Sequence, residues 1–310
     1  MRHVFIINPY AGRRDHTTRI YEMADRLREA HGLDCACMLT DRPGGAVEMA
    51  RRLAESGEAL RVYACGGDGT VSEVANGLAG FSNAAMTCIP AGTGNDFLKN
   101  FGPDMAKFQD AENLWEGPVL PLDLIDCGGR YCLTIACNGI DAQVAENVHR
   151  FDVSPLIHGR GKYLASVAAN FLFRNLGHRW TVTLDGETQT GDFALVSVCN
   201  GRHYGGGSMP VPEARMDDGV LHTILVKAIS KAAFARMFGD YSAGRYRKYP
   251  EVARVVTARE IRISSETDIV TCLDGECFRN REVTLKLAEK RVNFFGPAGC
   301  DPNATVRQRA

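Results

Sequence analysis

The chain has 310 residues, a formal net charge of -1 and a hydrophobic content of 45%. Because a single core stops growing at roughly 250 to 300 residues, we predict two domains. The composition excludes collagen-like, low-complexity and disordered proteins. The near-neutral charge differs from the basic domain of a typical nucleic-acid binder, so no nucleic-acid partner is expected.

The 11 cysteines are scattered through apolar runs such as YACGG and LTIACNG, without the paired CxxC spacing of a zinc site. We interpret them as buried, reduced thiols, which indicates a cytoplasmic setting. The first apolar run is too short for a signal peptide, and no window reaches the ~18 to 20 apolar residues of a membrane span. We therefore expect a cytoplasmic protein that does not span a membrane.

Predicted strands and helices alternate in the first part of the chain. Residues 3–8 form an apolar run before the turn-like PYAG, and residues 20–30 show helical spacing that ends at Gly32. The strand-like runs CACML and LRVYAC flank a helical stretch at residues 46–54. This order predicts a doubly wound parallel sheet in a nucleotide-binding α/β domain of residues 1–121.

The second part of the chain consists mainly of strand-like runs. They are DLIDCGGRYCLTIAC, WTVTLDGETQTGDFALVSVCNG, DGVLHTILVK, REIRISS, DIVTCLDGECF and EVTLKLAEKRVNFF. Helical insertions are predicted around residues 161–174 and 231–243. Runs at hairpin spacing predict an antiparallel β-sandwich in a lipid-substrate domain of residues 122–294, with a tail of residues 295–310 that returns to the first domain.

A glycine-rich loop, GGDGT, follows the LRVYAC strand and leads directly into a helix. Glycines let backbone N–H groups approach an anion, and the helix N-terminus adds partial positive charge, so we predict a phosphate site. Asp68 would repel phosphate, which indicates a divalent cation between them. The alternative is an ordinary turn in which Asp68 only caps the helix.

A second loop, PAGTGNDF, follows the strand-like run MTCIP. Two loops after strands of one parallel sheet lie at its carboxyl edge, where open α/β sheets bind ligands. Neither loop fits a Walker A motif or a GxGxxG fingerprint.

Together, GGDGTVSEVANGL, PAGTGNDF, the opening INPYAG and a late LDGE resemble the diacylglycerol kinase catalytic superfamily, and its bacterial soluble lipid kinase branch in particular. Sphingosine kinases are related to this branch. GGDGT alone also occurs in NAD kinases and phosphofructokinases, whereas the combination is specific. The resemblance covers nearly the whole chain and implies ATP and Mg²⁺ as cofactors.

The resemblance also implies roles for individual residues. The nucleotide would be bound by Asn8, Thr40, Gly66, Gly67, Asp68, Gly69, Thr70, Gly92, Thr93 and Asn95. An acidic network around the catalytic magnesium would comprise Asp68, Asp96 and Asp123. Asp217 and Asp218 could hold a structural metal, although an ordinary Asp-Gly turn explains them equally well, and His222 stands where the family often has Asp.

The tetrapeptide LDGE occurs twice, at residues 184–187 and 273–276. Asp-Gly between strand-like runs is a strong hairpin signal, so local sequence alone predicts a turn for both. In the resembled family the late Asp-Gly-Glu supplies the general base. Asp274 is therefore the candidate catalyst, in a cleft between the two domains, and Asp185 is the plain turn.

The resemblance implies a lipid substrate at a membrane surface, most simply diacylglycerol. Residues 231–249 interleave basic and aromatic side chains, which suits peripheral contact with an anionic membrane. A core helix with a solvated basic edge is an equal alternative, and a homodimer through the second domain is plausible. Competing functions are an NAD kinase-like activity on a soluble nucleotide and a non-catalytic nucleotide- or lipid-binding regulator.

Overall fold

A computed structural model of the chain describes residues 1–12, 14–151 and 177–304. The chain divides into two compact units. One comprises Met1–Leu124 and the segment that begins at Glu289, and the other comprises Ile125–Ala288. The helix predicted around residues 161–174 lies outside the described residues.

The first unit is built on a mostly parallel sheet. Its strands are β1 (Arg2–Ile7), β2 (Asp34–Leu39), β3 (Leu60–Gly66), β4 (Ala84–Pro90), β5 (Val119–Leu122) and, from the end of the chain, β15 (Val292–Phe295). The helices are α1 (Thr17–His31), α2 (Gly45–Glu55), α3 (Asp68–Leu78) and the short α4 (Asp96–Lys99), with 3-10 helices at Gly102–Gln109 and Ala111–Asn113. The strand order is β2-β1-β3-β4-β15-β5, in which β1 to β4 are parallel.

Burial explains why these segments fold in this way. The β1 residues Val4 to Ile7 are almost fully buried, as expected for a parallel sheet that is covered on both faces. In α1 the buried side chains include Ile20, Met23 and Leu27, which share one face. Gly32 ends α1 with φ 66°, and its N–H bonds to the Arg28 carbonyl. The predicted α/β domain is confirmed.

The second unit is built on an antiparallel sheet. Its strands are β6 (Ile125–Cys127), β7 (Arg130–Cys132), β8 (Ile135–Gly139), β9 (His178–Leu184), β10 (Glu187–Cys199), β11 (Leu221–Lys227), β12 (Ala253–Ala258), β13 (Glu260–Leu273) and β14 (Glu276–Leu287). The helices are α5 (Ile140–Phe151) and, after the segment that is not described, α6 (Lys231–Ser242), with a 3-10 helix at Tyr246–Lys248.

In this sheet the order is β12-β11-β10-β8-β13-β14-β6-β7, and β9 pairs with both β10 and β13. Alternate residues of one strand enter different cores. Ile135 and Cys137 pack in one buried cluster, whereas Ala136 packs in another. This period of two is that of a strand with both faces covered, and the predicted β-sandwich class is confirmed.

Three details differ from the sequence-based expectation. The runs REIRISS and DIVTCLDGECF were expected to form separate strands. The structure instead has one strand, β13, which passes through both runs and ends at Leu273, with an irregularity in its pairing between Ser264 and Ile269. The run EVTLKLAEKRVNFF is divided between β14 and β15, which pair in different sheets. Helix α5 was not predicted because buried polar residues, Asp141 and Gln143, interrupt its apolar pattern.

Candidate active site

The predicted nucleotide-binding residues follow the ends of four adjacent parallel strands. Asn8 follows β1, Thr40 follows β2, and the two glycine loops follow β3 and β4. The Asn8 side-chain amide donates to Thr70 Oγ1 at 3.2 Å, and the Thr40 N–H donates to the Ile7 carbonyl at 2.9 Å. The strand order reverses between β1 and β3, which is where open α/β sheets bind ligands.

The GGDGT loop turns sharply from β3 into α3. A side chain on Gly66 would bring Cβ within 2.2 Å of Thr70 Oγ1, so only glycine fits there. Gly67 is the extended N-cap residue of α3 and provides no side-chain cap. By contrast, a Cβ on Gly69 would meet nothing within 4 Å. The first turn of α3 therefore has the open backbone of an anion site.

Asp68 connects the two glycine loops. Its Oδ1 accepts the backbone N–H of Phe97 at 3.1 Å, at the start of α4. A Cβ on Gly94 would lie 2.9 Å from Asp68 Oδ2 and 4.0 Å from Asp96 Oδ2, so both carboxylates flank this glycine. Burial, with a smaller effect of the Asp68 carboxylate, raises the pKa of the Cys88 thiol. Asp68 thus links the first loop to the start of α4, directly after the second loop.

The second loop packs closely against the first. A Cβ on Gly92 would lie 2.5 Å from the Gly67 Cα atom. Asn95 adopts φ 50° and donates from its side chain to the Gly92 carbonyl at 2.9 Å, while Thr93 is exposed. Sequence reasoning missed Gly12, whose φ is 78° and whose Cβ would lie 2.1 Å from the Ala91 carbonyl oxygen.

The predicted magnesium ligands are hard oxygen donors, which suits Mg²⁺. Asp96 forms a salt bridge with Lys99, and the buried Asp123 pairs with Arg291 at 2.7 Å. Within residues 1–12, 14–151 and 177–304, no three His, Cys, Asp or Glu side chains form a group that could hold a metal ion. Since Mg²⁺ usually keeps several waters and binds through one or two carboxylates, Asp68 and Asp96 fit it, and the three-residue network stays a prediction.

Asp274 lies in the second unit, in the two-residue turn between β13 and β14. Its carboxylate accepts backbone N–H groups of Leu133 at 2.6 Å and Thr134 at 2.9 Å, together with the Thr134 hydroxyl. Both turn residues have positive φ, 46° for Asp274 and 103° for Gly275, as a type I′ turn requires. The carboxylate is thereby fixed on the loop that precedes β8, a contact that no sequence signal had indicated.

The second copy of the tetrapeptide forms the same turn. Asp185 has φ 46° and Gly186 has φ 91°. The Asp185 carboxylate accepts the N–H groups of Arg259 and Glu260 at 2.9 Å and 2.8 Å. By backbone geometry both aspartates are therefore turn residues. They differ in exposure, since Asp185 is exposed and Asp274 is half-buried. The catalytic role of Asp274 stays a prediction.

The loop before β11 contains the other predicted metal ligands. Asp217 pairs with Arg215 at 3.2 Å, and Asp218 Oδ2 lies 3.1 Å from His222 Nε2. Asp218 Oδ1 also accepts the N–H of Val220 at 3.3 Å, which is the geometry of an Asp-Gly turn. Side chains of the chain itself thus contact both carboxylates, and the structural metal stays a prediction.

The basic and aromatic segment at residues 231–249 has a mixed surface. Phe234, Tyr241 and Tyr246 are buried in the core of the second unit, which favours the core-helix interpretation for these rings. The exposed cations Arg245 and Lys248 both pair with Asp240. None of the helices in the described part of the chain has the length and apolar character needed to cross a bilayer.

The fold and the paired glycine loops define a two-domain kinase of the type that NAD kinases and diacylglycerol kinases share. Residues 2–127 match the diacylglycerol kinase catalytic domain, and residues 134–295 match the YegS C-terminal NAD kinase beta sandwich-like domain. The chain belongs to the diacylglycerol kinase catalytic family and is a kinase.

Individual relatives agree with this assignment. A Staphylococcus haemolyticus protein provisionally named a lipid kinase is 25% identical over 301 residues, which cover 94% of this chain and 95% of that protein. A Chromohalobacter salexigens protein provisionally named a YegS-like lipid kinase is 29% identical, with 86% and 85% covered. A Bacillus anthracis crystal structure, provisionally described as a diacylglycerol kinase, has a TM-score of 0.76 at 24% identity, with 97% and 98% covered, and shares the fold.

Proposed function

We propose that the protein is an ATP- and magnesium-dependent lipid kinase that converts diacylglycerol to phosphatidic acid. The observation that carries this proposal is the convergence of Asn8, Thr40 and both glycine loops at one edge of the parallel sheet. The lipid acceptor is suggested by the names of the relatives and by the late Asp-Gly-Glu motif, since a nucleotide site alone does not select an acceptor.

The first unit would bind the nucleotide. The exposed Gly69 and the N-terminal turn of α3 offer backbone N–H groups to the phosphates, and the helix dipole favours their negative charge. Asp68 and Asp96 would hold a magnesium ion with water ligands. When bound, this ion neutralises charge that develops on the transferred phosphoryl group.

The second unit would supply the base. Asp274 would take the proton from the lipid hydroxyl as the hydroxyl oxygen forms its bond to the γ-phosphorus and the bond to the β-phosphate oxygen breaks. The N–H groups of Leu133 and Thr134 orient the carboxylate. Reaching lipid in a bilayer also requires peripheral membrane contact, which we include in the proposal.

The test is phosphate transfer from labelled Mg-ATP to a panel of lipid alcohols in mixed micelles, with diacylglycerol first. Asp274→Asn should lower turnover ~10²-fold or more, the range for loss of a general base. Asp185→Asn is the matched control, because it changes the same residue in the same turn, and it should retain activity. Equal activity of the two variants would refute the role of Asp274.

The rest of the panel tests the acceptor separately. Transfer to another lipid alcohol but not to diacylglycerol would correct the substrate and leave the kinase chemistry intact. ATP binding without transfer to any acceptor would instead indicate a regulator, and NADP formation from NAD would indicate a soluble-nucleotide kinase. Sedimentation with anionic vesicles, compared with neutral ones, would test the membrane contact.

A further inference from the structure

Two cysteines flank the turn that carries Asp274. Cys272 and Cys277 face each other directly in the β13–β14 pairing, one residue outside Leu273 and Glu276. In a two-residue hairpin the pair next to the turn closes it with a hydrogen bond, so the next pair outward does not exchange hydrogen bonds. At such positions the side chains approach each other closely, with Cα atoms ~4.5 Å apart, inside the range of a disulfide.

The other LDGE hairpin provides an internal check of this geometry. Its equivalent pair is Thr183 and Thr188, which also face each other across a type I′ Asp-Gly turn. Their γ-oxygens are 2.9 Å apart. The hairpin that both tetrapeptides form therefore brings the γ-atoms of this pair into contact, which is the contact that two sulfur atoms need before they can bond.

The environment of the two thiols is unequal. Cys272 is 4% exposed within the core, whereas Cys277 is half-buried and donates at 3.7 Å to the Ala142 carbonyl of α5. The pKa of Cys277 is lowered because the Cys272 thiol hydrogen-bonds to it, and that contact together with burial raises the pKa of Cys272. All eleven cysteines lie in the described ranges, and Cys277 is the one whose pKa is lowered.

We propose that Cys272 and Cys277 form a redox modification site, in which peroxide converts the two facing thiols into a disulfide across the base of the Asp274 turn. The Cys277 thiolate attacks the peroxide O–O bond and, with one proton, yields a sulfenic acid and water. The Cys272 sulfur then attacks the Cys277 sulfur, and a second water leaves. The two thiols lose two electrons, which reduce the peroxide.

The bridge would act on the turn itself. Facing Cβ atoms are ~4.5 to 5.5 Å apart in a sheet but only ~3.5 to 4.5 Å apart across a disulfide. The Cα atoms already lie within disulfide range, so the bridge draws the two side chains together and tightens the turn beside Asp274, which shifts its carboxylate against the N–H groups of Leu133 and Thr134. If Asp274 is the base, a consequence that rests on the proposed function, oxidation lowers phosphate transfer and a dithiol reductant restores it.

The experiment treats the purified full-length protein with hydrogen peroxide, alkylates the remaining thiols and digests with trypsin. Cys272 and Cys277 fall in one tryptic peptide, residues 263–279. We expect this peptide to be unalkylated and lighter by two hydrogen atoms, and its halves to stay joined after cleavage at Glu276 until a reductant is added. In Cys272→Ser, a sulfenic acid trap should label Cys277.

Several outcomes would overturn the proposal. Alkylation of Cys277 after peroxide treatment, or a bridge from Cys272 to Cys137, its neighbour on β8, would each do so. The matched control is the double variant Thr183→Cys with Thr188→Cys, which should bridge in the other hairpin. A bridge there without one between Cys272 and Cys277 would retain the geometry and reject the native site.

Activity measurements separate this proposal from the proposed function. The Cys277→Ser variant should keep its transfer rate under peroxide, whereas the wild type should lose most of its rate reversibly. A bridge detected by mass without any change in an active wild type would reject the effect on the turn. A bridge in a protein without kinase activity would support the modification site while the proposed function fails.

Discussion

Substituting Gly69 by alanine tests the phosphate site in isolation. A Cβ at this position meets nothing within 4 Å, and the residue lies in the first turn of α3. Without ligand, packing therefore gives no reason for glycine, and alanine should stabilise the helix by up to about 1 kcal/mol. The open space is instead the position we assign to nucleotide phosphate, so the same methyl group should obstruct ATP.

The assay is urea unfolding with and without Mg-ATP. A ligand at 100 times its Kd raises the free energy of unfolding by about 2.7 kcal/mol, and a tenfold weaker Kd reduces that gain to about 1.4 kcal/mol. We expect Gly69→Ala to be more stable than wild type without ATP and to gain less from it.

The control is Gly66→Ala, whose Cβ would lie 2.2 Å from Thr70 Oγ1. This overpacking should cost about 1 to 3 kcal/mol whether or not ATP is present. If Gly69→Ala keeps the full stabilisation by Mg-ATP, the phosphates do not lie over the first turn of α3.

Two further predictions concern charge. Arg291→Met should lower the free energy of unfolding by about 3 kcal/mol, because it removes the guanidinium that lies 2.7 Å from Asp123, a carboxylate that is only 2% exposed. In chemical denaturation, adding Asp123→Asn should recover part of this loss. Equal stability of Arg291→Met and wild type would contradict the prediction. Burial lowers the pKa of His3 from 6.5 to about 4. As the pH falls, the unfolded chain therefore protonates His3 before the folded chain does, and up to about 3 kcal/mol of stability should be lost between pH 6.5 and 4. His3→Gln should flatten this part of the curve of unfolding free energy against pH, and an unchanged slope would refute the prediction.

Much of the first unit could be predicted because its local signals agree with its tertiary structure. The α1 stripe, its Gly32 cap and the buried strand before GGDGT each have one interpretation, and the structure confirms them. Helix α5 was not predictable in this way. Its polar residue Asp141 is buried and accepts hydrogen bonds from Tyr204 and Tyr241, residues far along the chain, so a polar position that looks exposed in the sequence faces the core.

The division of EVTLKLAEKRVNFF has a similar cause. Both halves have strand-like sequences, and nothing local distinguishes a strand that pairs with β13 from one that pairs with β4 and β5. Sheet membership depends on partners more than 150 residues earlier in the chain for β15. Period and propensity predict that a segment is a strand, but the choice of partner is made by the complete core.

The repeated LDGE shows the same limit at the level of function. Both copies adopt one turn, and both aspartates accept backbone N–H groups from a neighbouring segment, so turn geometry cannot distinguish a catalyst from a structural residue. Their surroundings differ. Asp185 is exposed beside a threonine pair, whereas Asp274 is half-buried beside two cysteines. A turn that only reverses the chain needs neither burial nor oxidisable neighbours, so the peroxide and Asp→Asn experiments together test whether the second copy has acquired a further role.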